Sequence, residues 1–445
     1  MTEIANDLGT QSISKLLIKQ AVPASIGILV MSINMIVDTI FVGQWIGVLA
    51  IASVTVVLPI VFLISSLGMG IGIGGSSIIS RALGSKDFDK AFLVFGNQIS
   101  MTLALSVFFV IVGTYFCTFL LSLFGANGDI LAPATEYFHV VLYGVPFLAF
   151  AMMGNPVIRA EGKPKFAMYA MIIPAIANII LDIVFIKLLD LGMFGAGLAT
   201  SISYASCGLF ILGFFLSKKS ELQIIPKFFK LRQKIVREIV ELGGVTVARQ
   251  GTISILMIVL NASLFTYGGE VAIAVYGIIN RVMMFALFPV LGVTQGFLPV
   301  AGYNYGAKDW SRVKESIKVA IKYGTLVASV IFIGILTFPR AIASVFTDNQ
   351  ELLSQTPNAL LLVFLATPVI TTQLVGSAYF QAAGKAVPAL ILTLLKQGIF
   401  LIPLVYILPK FFGLNGIWWS FPIADVLATI VTLLFLQKEV KKNLS

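Results

Sequence analysis

An all-α, polytopic membrane protein with twelve transmembrane helices is the fold class this sequence predicts, and three observations predict it. Hydrophobic residues fill 58% of the 445 positions and charged ones only 11%, with a mean hydropathy of +0.99, far outside the composition of water-soluble domains. Apolar runs of about 20 residues, the length a helix needs to cross ~30 Å of hydrocarbon, recur from one end to the other with short polar connections between them. Basic residues alternate between those connections in the pattern of a multi-pass topology.

In order, the runs predict helices over roughly 13–44, 48–80, 88–117, 129–160, 164–189, 193–217, 237–267, 270–303, 309–339, 350–384, 386–409 and 413–437, bounded by charged or Gly/Pro breaks. The first starts where the polar "MTEIANDLGTQ" gives way, and it is longer than a signal-peptide core, so it is read as retained. Several runs exceed the span of a bilayer and should tilt, bend or project beyond it. Of the 30 Lys and Arg, the odd-numbered connections hold only Lys187, Arg340 and Lys410, and Arg249, Arg281 and Lys396 fall within helices. The other 24 lie in the termini and even-numbered connections, including "KKSELQIIPKFFKLRQKIVR" (218–237). The net charge of +10 therefore reads as positive-inside topology with both termini cytoplasmic, not as a nucleic-acid surface.

A shift of 222 residues superimposes three segments in order: "LAIAS" (49–53) on "VAIAV" (271–275), "RALGSKDFDKA" (81–91) on "YNYGAKDWSRV" (303–313), and "RAEGKPKF" (159–166) on "QAAGKAVP" (381–388). The chain divides on this reading into an N-lobe over 1–217, a basic cytoplasmic linker over 218–236 and a C-lobe over 237–445. Six crossings per half give both bundles one orientation, related by an axis along the membrane normal, an arrangement suited to rocking about a central site. Duplication kept for packing alone remains the alternative.

Ionisable groups inside a membrane need a partner or a task. Asp38, in "MSINMIVDTIFVGQW", and Asp182, in "ANIILDIVF", fall at similar depth in the outer halves of the first and fifth helices. Asn178 precedes Asp182 by one turn, and Thr200 of the sixth helix comes to the same level. No Lys or Arg of this half is predicted at that height. The cluster suits a reversible site for H⁺ or Na⁺, or else a shared-proton bond that pins helices. In the second half, Arg281, Lys396 and Asp425 are the candidate buried charges, and Lys396 and Asp425 sit near mid-depth on consecutive antiparallel helices where they can pair. Pro23 gives the first helix a bend, static or alternating. The two cysteines, Cys117 and Cys207, lack metal or disulfide spacing, and His139 stands alone, so no metal site and no resident cofactor are expected.

At these residues the chain resembles the multidrug and toxic compound extrusion (MATE) family, in its DinF-like and MepA-like prokaryotic branch. "GIGGSSIISRALG" (72–84) and "QGFLPVAGYNYGAK" (295–308), closing the second and eighth helices, carry the likeness together with the twelve-helix plan. The resemblance implies a monomeric antiporter of the prokaryotic inner membrane, expelling bulky, often cationic and aromatic small organic compounds as H⁺ or Na⁺ enters. It places cation coupling at Asp38, Asn178, Asp182 and Thr200, a helix bend at Pro23, and substrate-cavity positions at Asn34, Asn155 and Met171. The NorM-like branch instead carries acids in helices seven and ten, which are absent here. A lipid-linked oligosaccharide or peptidoglycan-precursor flippase of the same superfamily is the alternative, and a membrane enzyme lacks a nucleophile and base.

Overall fold

Residues 3–444 are described by the structure, a computed structural model, and among them every regular element is helical. The membrane-length helices are α1 (Ile13–Trp45), α2 (Val48–Gly84), α3 (Phe88–Tyr115), α4 (Leu131–Ala160), α5 (Pro164–Asp182, prolonged by a π-helical stretch Ile183–Leu188) and α6 (Gly192–Leu216). The helical stretch Gln233–Gly306 reverses at Gly269, whose φ of 63° only glycine adopts readily, and so supplies α7 (233–268) and α8 (270–306). α9 is Trp310–Thr337. α10 is a broken span, Gln350–Phe364 and Thr367–Ala382, bent by 46°. α11 runs Ala386–Ile407 through a second π-helical stretch, Leu395–Leu401, and α12 is Pro409–Asn443, turning at Gly413 near its start.

The twelve expected helices are therefore present, with differences that have local causes. The break in α10 falls just before Pro368, which has no N–H to continue the ladder and crowds the residue ahead of it. Short helices at Cys117–Leu123 and Pro339–Ser344 follow α3 and α9 after one-residue interruptions, so those two runs are each a long helix plus a short one. α7 starts at Gln233, four residues earlier than expected.

Backbone geometry repeats at the same spacing of 222. Lys86 and Lys308 both take left-handed φ, 61° and 58°. Each precedes an aspartate whose side chain caps the next helix, Asp87 accepting from the Lys90 N–H and Asp309 from the Arg312 N–H, both at 3.1 Å. Gly162 and Gly384 likewise match, at φ 76° and 80°. Core positions correspond too: Val57 and Ile279, Phe138 and Leu360, and Leu142 and Phe364 are all buried.

The chain packs as two units. One contains Ile26–Thr246; the other contains Thr10–Ser25 and the chain from Val247 onward. The division cuts α1 and α7 rather than a loop. In the first unit the start of α7 crosses α2 so tightly that a Cβ on Gly74 would lie 2.8 Å from the Gly243 nitrogen. In the second, the start of α1 crosses α8, and a Cβ on Gly296 would lie 2.7 Å from the Ala21 nitrogen. Residues 74 and 296, and 21 and 243, are again 222 apart.

In the first unit, the connection from α6 to α7 is strapped to α3. The fully buried Asn97 amide donates to the carbonyls of Phe228 and Lys230, both at 3.3 Å, and accepts the Arg232 N–H at 2.8 Å. Glu161, just past α4, accepts the Ser220 hydroxyl at 2.8 Å and the N–H groups of Glu221 and Leu222, both at 3.2 Å. Burial pushes its carboxyl from the usual 4.5 up to about 8, against the opposite pull of those donors. Because the folded value lies above the unfolded one, the stabilising contribution is complete below about 4.5 and is lost as pH rises to about 8. Glu161→Gln keeps an acceptor there but cannot ionise. It is expected to flatten the fall in unfolding temperature of the solubilised protein across this window, where the wild-type slope reaches up to ~1.4 kcal/mol per pH unit. Unfolding curves of the two proteins that stay parallel across the window would remove Glu161 from the pH response.

Candidate functional site

The site lies in the first unit, where α1 and α5 carry matching pairs of side chains one turn apart. Asn34 and Asp38 are i and i+4 on α1, and Asn178 and Asp182 are i and i+4 on α5. The Asn34 amide donates to Asn178 Oδ1 at 3.1 Å. One turn further along, the Asp38 and Asp182 carboxyls are near neighbours. Two bare carboxylates close together repel each other.

Asp182 is fully buried, and neither of its oxygens receives a donor from the protein; the Asn34 Oδ1 is buried without one as well. Among the described residues neither aspartate forms an ion pair with a Lys, Arg or His. Asp182 is the last residue before the π-helical stretch of α5, and such irregular turns recur at functional positions.

Thr200 joins this group through a residue the sequence did not single out. Its hydroxyl donates to the Ala196 carbonyl at 3.0 Å and lies 3.4 Å from the Tyr137 hydroxyl of α4. Tyr137 and Tyr204, the latter one turn beyond Thr200, both stand within electrostatic reach of Asp38. A lone tyrosine in an apolar run carries little sequence signal, since aromatic residues are common there for packing.

The other predicted positions lie apart from the carboxyl pair. Asn155 donates to the Ala167 carbonyl at 2.7 Å, and its Oδ1 accepts from Arg159 Nε at 3.1 Å. Met171, on α5, faces the same guanidinium, with Sδ 3.6 Å from Nη2. The sequence places Arg159 among the cytoplasmic charges, and the structure finds it only 5% exposed. Its proximity to the turn "EGK" masked it; the available signal was Asn155, one turn earlier on the same helix. Pro23 is buried in α1, which continues through it, two residues before the chain passes from one unit to the other.

In the second unit Lys396 Nζ lies 2.7 Å from Asp425 Oδ1, with side chains 14% and 5% exposed. Lys396 sits inside the π-helical stretch of α11. Arg281 is a correction: it is exposed, not a buried charge. The buried stripe of α8 runs through Val275, Ile279 and Val282, and Arg281 falls off that stripe.

A helical membrane bundle with a buried oxygen cluster and no fixed counter-ion defines a multi-pass transporter. The chain belongs to the MATE family: the MatE family model matches residues 23–184 and again 245–407, with the second match beginning 222 residues after the first. The chain is 29% identical over 420 residues to the multidrug export protein MepA of Staphylococcus aureus strain MSSA476, covering 93% of this chain and 91% of that protein. MepA of Staphylococcus haemolyticus is 29% identical over 428 residues, with 95% and 93% covered. A structure described as the outward-facing conformation of a multidrug resistance MATE family transporter of the MOP superfamily matches with a TM-score of 0.93 at 28% identity, covering 99% of this chain and 98% of that one. A transporter of the same superfamily from Pyrococcus furiosus, described as having a binding pocket of reverse polarity, matches at 0.92 and 28%, with the same coverage.

Proposed function

We propose that this multidrug export transporter is a cation-coupled antiporter: H⁺ or Na⁺ entering through Asp38 and Asp182 drives a bulky organic cation or amphipathic compound outward by alternating access. Asn178, Asn34 and Thr200 supply neutral oxygens around the carboxyl pair, and Tyr137 orients Thr200. The observation that carries the reading is a fully buried carboxyl, Asp182, whose oxygens receive no donor, beside a second acid, Asp38, with neither in an ion pair among the described residues. Such a pair changes its occupancy with the surrounding proton or sodium activity, and the change alters how strongly α1 and α5 are drawn together. Pro23 supports a bend in α1, since its missing N–H weakens the ladder close to where the helix passes between units. Asn155 and Met171 belong to the substrate path on this reading. On this reading the protein acts as a monomer in the prokaryotic inner membrane, and the distribution of Lys and Arg supports cytoplasmic termini.

The test is flux in proteoliposomes with pH and Na⁺ gradients imposed separately, using a fluorescent organic cation. Uphill movement under either gradient alone identifies the coupling ion. Accumulation indifferent to both gradients would remove the antiport reading.

A further inference from the structure

On the connection between α6 and α7 we propose a docking site for an anionic phospholipid headgroup, held by Lys227, Lys230, Arg232 and Lys234 where that segment crosses α3. The inference uses the membrane topology adopted above and is independent of the transport step. Positions 223 to 237 carry five basic residues and no acid. The four named side chains are exposed, and among the described residues none of them is in an ion pair. The acids at the start of α7 are engaged elsewhere: Glu238 takes Arg81 at 2.8 Å and Lys90 at 3.7 Å, and Glu241 takes Arg237 at 2.7 Å. They leave the charge of the segment uncompensated.

The segment is held by its backbone, which leaves those side chains outside. Asn97 binds the Phe228 and Lys230 carbonyls and the Arg232 N–H, and the Ser100 hydroxyl donates to the Phe229 carbonyl at 2.7 Å. The approach is so close that a Cβ on Gly96 would collide with the Phe228 carbonyl. Depth then identifies the occupant. α3 ends outward at Tyr115, 80% exposed and followed by the exposed Phe116, aromatic residues of the kind that sit at a membrane interface. Counting about 20 residues inward from Tyr115, the length that crosses ~30 Å of hydrocarbon, puts the other boundary near Phe95. Asn97 and Ser100 lie within about a turn and a half of that level, so the strap rests where headgroups meet acyl chains. Leu231, 52% exposed, and the half-buried Phe228 and Phe229 give it an apolar edge among its charges, which suits a lipid and is wasted on a free anion. A phosphodiester with one net negative charge answers the basic cluster, whereas a zwitterionic headgroup offers it no net attraction.

The test is native mass spectrometry of the full-length protein released from neutral detergent micelles that hold equal amounts of phosphatidylglycerol and phosphatidylcholine, read as the ratio of the two bound lipids. Lys227→Gln, Lys230→Gln, Arg232→Gln and Lys234→Gln together are expected to lower that ratio at least about tenfold. Lys308→Gln, Lys314→Gln, Lys318→Gln and Lys322→Gln together remove the same charge from exposed positions of the second unit and should leave the ratio unchanged. Lys227→Gln with Lys230→Gln alone should give an intermediate loss, and this pair carries the test should the fourfold linker variant not fold. A ratio unchanged in the linker variants, or lowered equally by the second-unit set, overturns the site. Displacement of phosphatidylglycerol by excess inorganic phosphate overturns it as well, since the segment would then be a phosphate site. No gradient or drug enters this measurement, so a failed antiport reading leaves its outcome legible.

Discussion

Asp38→Asn is expected to abolish gradient-driven export while the protein remains folded. The amide matches the carboxyl in size, but its NH₂ group donates permanently to Asp182, so the contact no longer depends on a captured cation. Ion binding can shift a conformational equilibrium only through different affinities for its states. With the site fixed, uphill accumulation should fall roughly a hundredfold, the scale on which a poised two-state equilibrium is held at one end. Asp182→Asn should do the same from α5, since Asp182 is fully buried and none of its oxygens has another donor. Thermal unfolding separates this from a folding defect: both variants should melt at or above the wild-type temperature, because two acids that repel when ionised have become an amide donating to a single carboxyl. Full accumulation by either variant would show that the pair is not the port.

Breaking the Lys396–Asp425 pair is expected to have the largest effect on stability. Both side chains are largely withdrawn from water, and their charged ends lie 2.7 Å apart. Removing one partner leaves the other charge buried alone, so Lys396→Met or Asp425→Leu should each cost about 3–5 kcal/mol. Replacing both together should recover most of that loss, since a well-packed apolar pair of similar volume is often as stable as a buried ion pair. Unfolding temperatures of the two single variants and the double variant in detergent read this directly. A double variant as unstable as the singles would mean that the pair is held by more than its mutual charge. A transport defect in a stable double variant would make the pair part of the substrate path.

Period and composition made the helices readable, because a membrane-spanning run has to be both long and apolar, and few other structures are. The repeat was readable in segments such as "SKDFD" and "AKDWS", but the left-handed lysine and aspartate cap inside each were not, since lysine has no preference for positive φ. The aspartates of α1 and α5 stood out because a charge in an apolar run is rare. Arg159 did not, because a basic residue two positions before a cytoplasmic turn looks like one more topological charge until packing draws it inward. Arg281 failed in the opposite sense, since depth along a helix says nothing about which face a residue occupies. Tyr137 and Asn97 are ordinary residues of apolar helices, and only neighbours distant in the chain give them a role.

The glycine crossings also govern how the polypeptide can be assembled. The first unit needs residues around Gly243 before Gly74 has its contact, and the second needs Ala21 before Gly296 has its own. A ribosome that has released only the first six helices has therefore not yet made everything the first bundle packs against, and the opening turns of α1 must wait for α8. Closure of such distant contacts is slow, so fragments severed in the 218–236 stretch would each lack a piece carried by the other and should associate only when produced together.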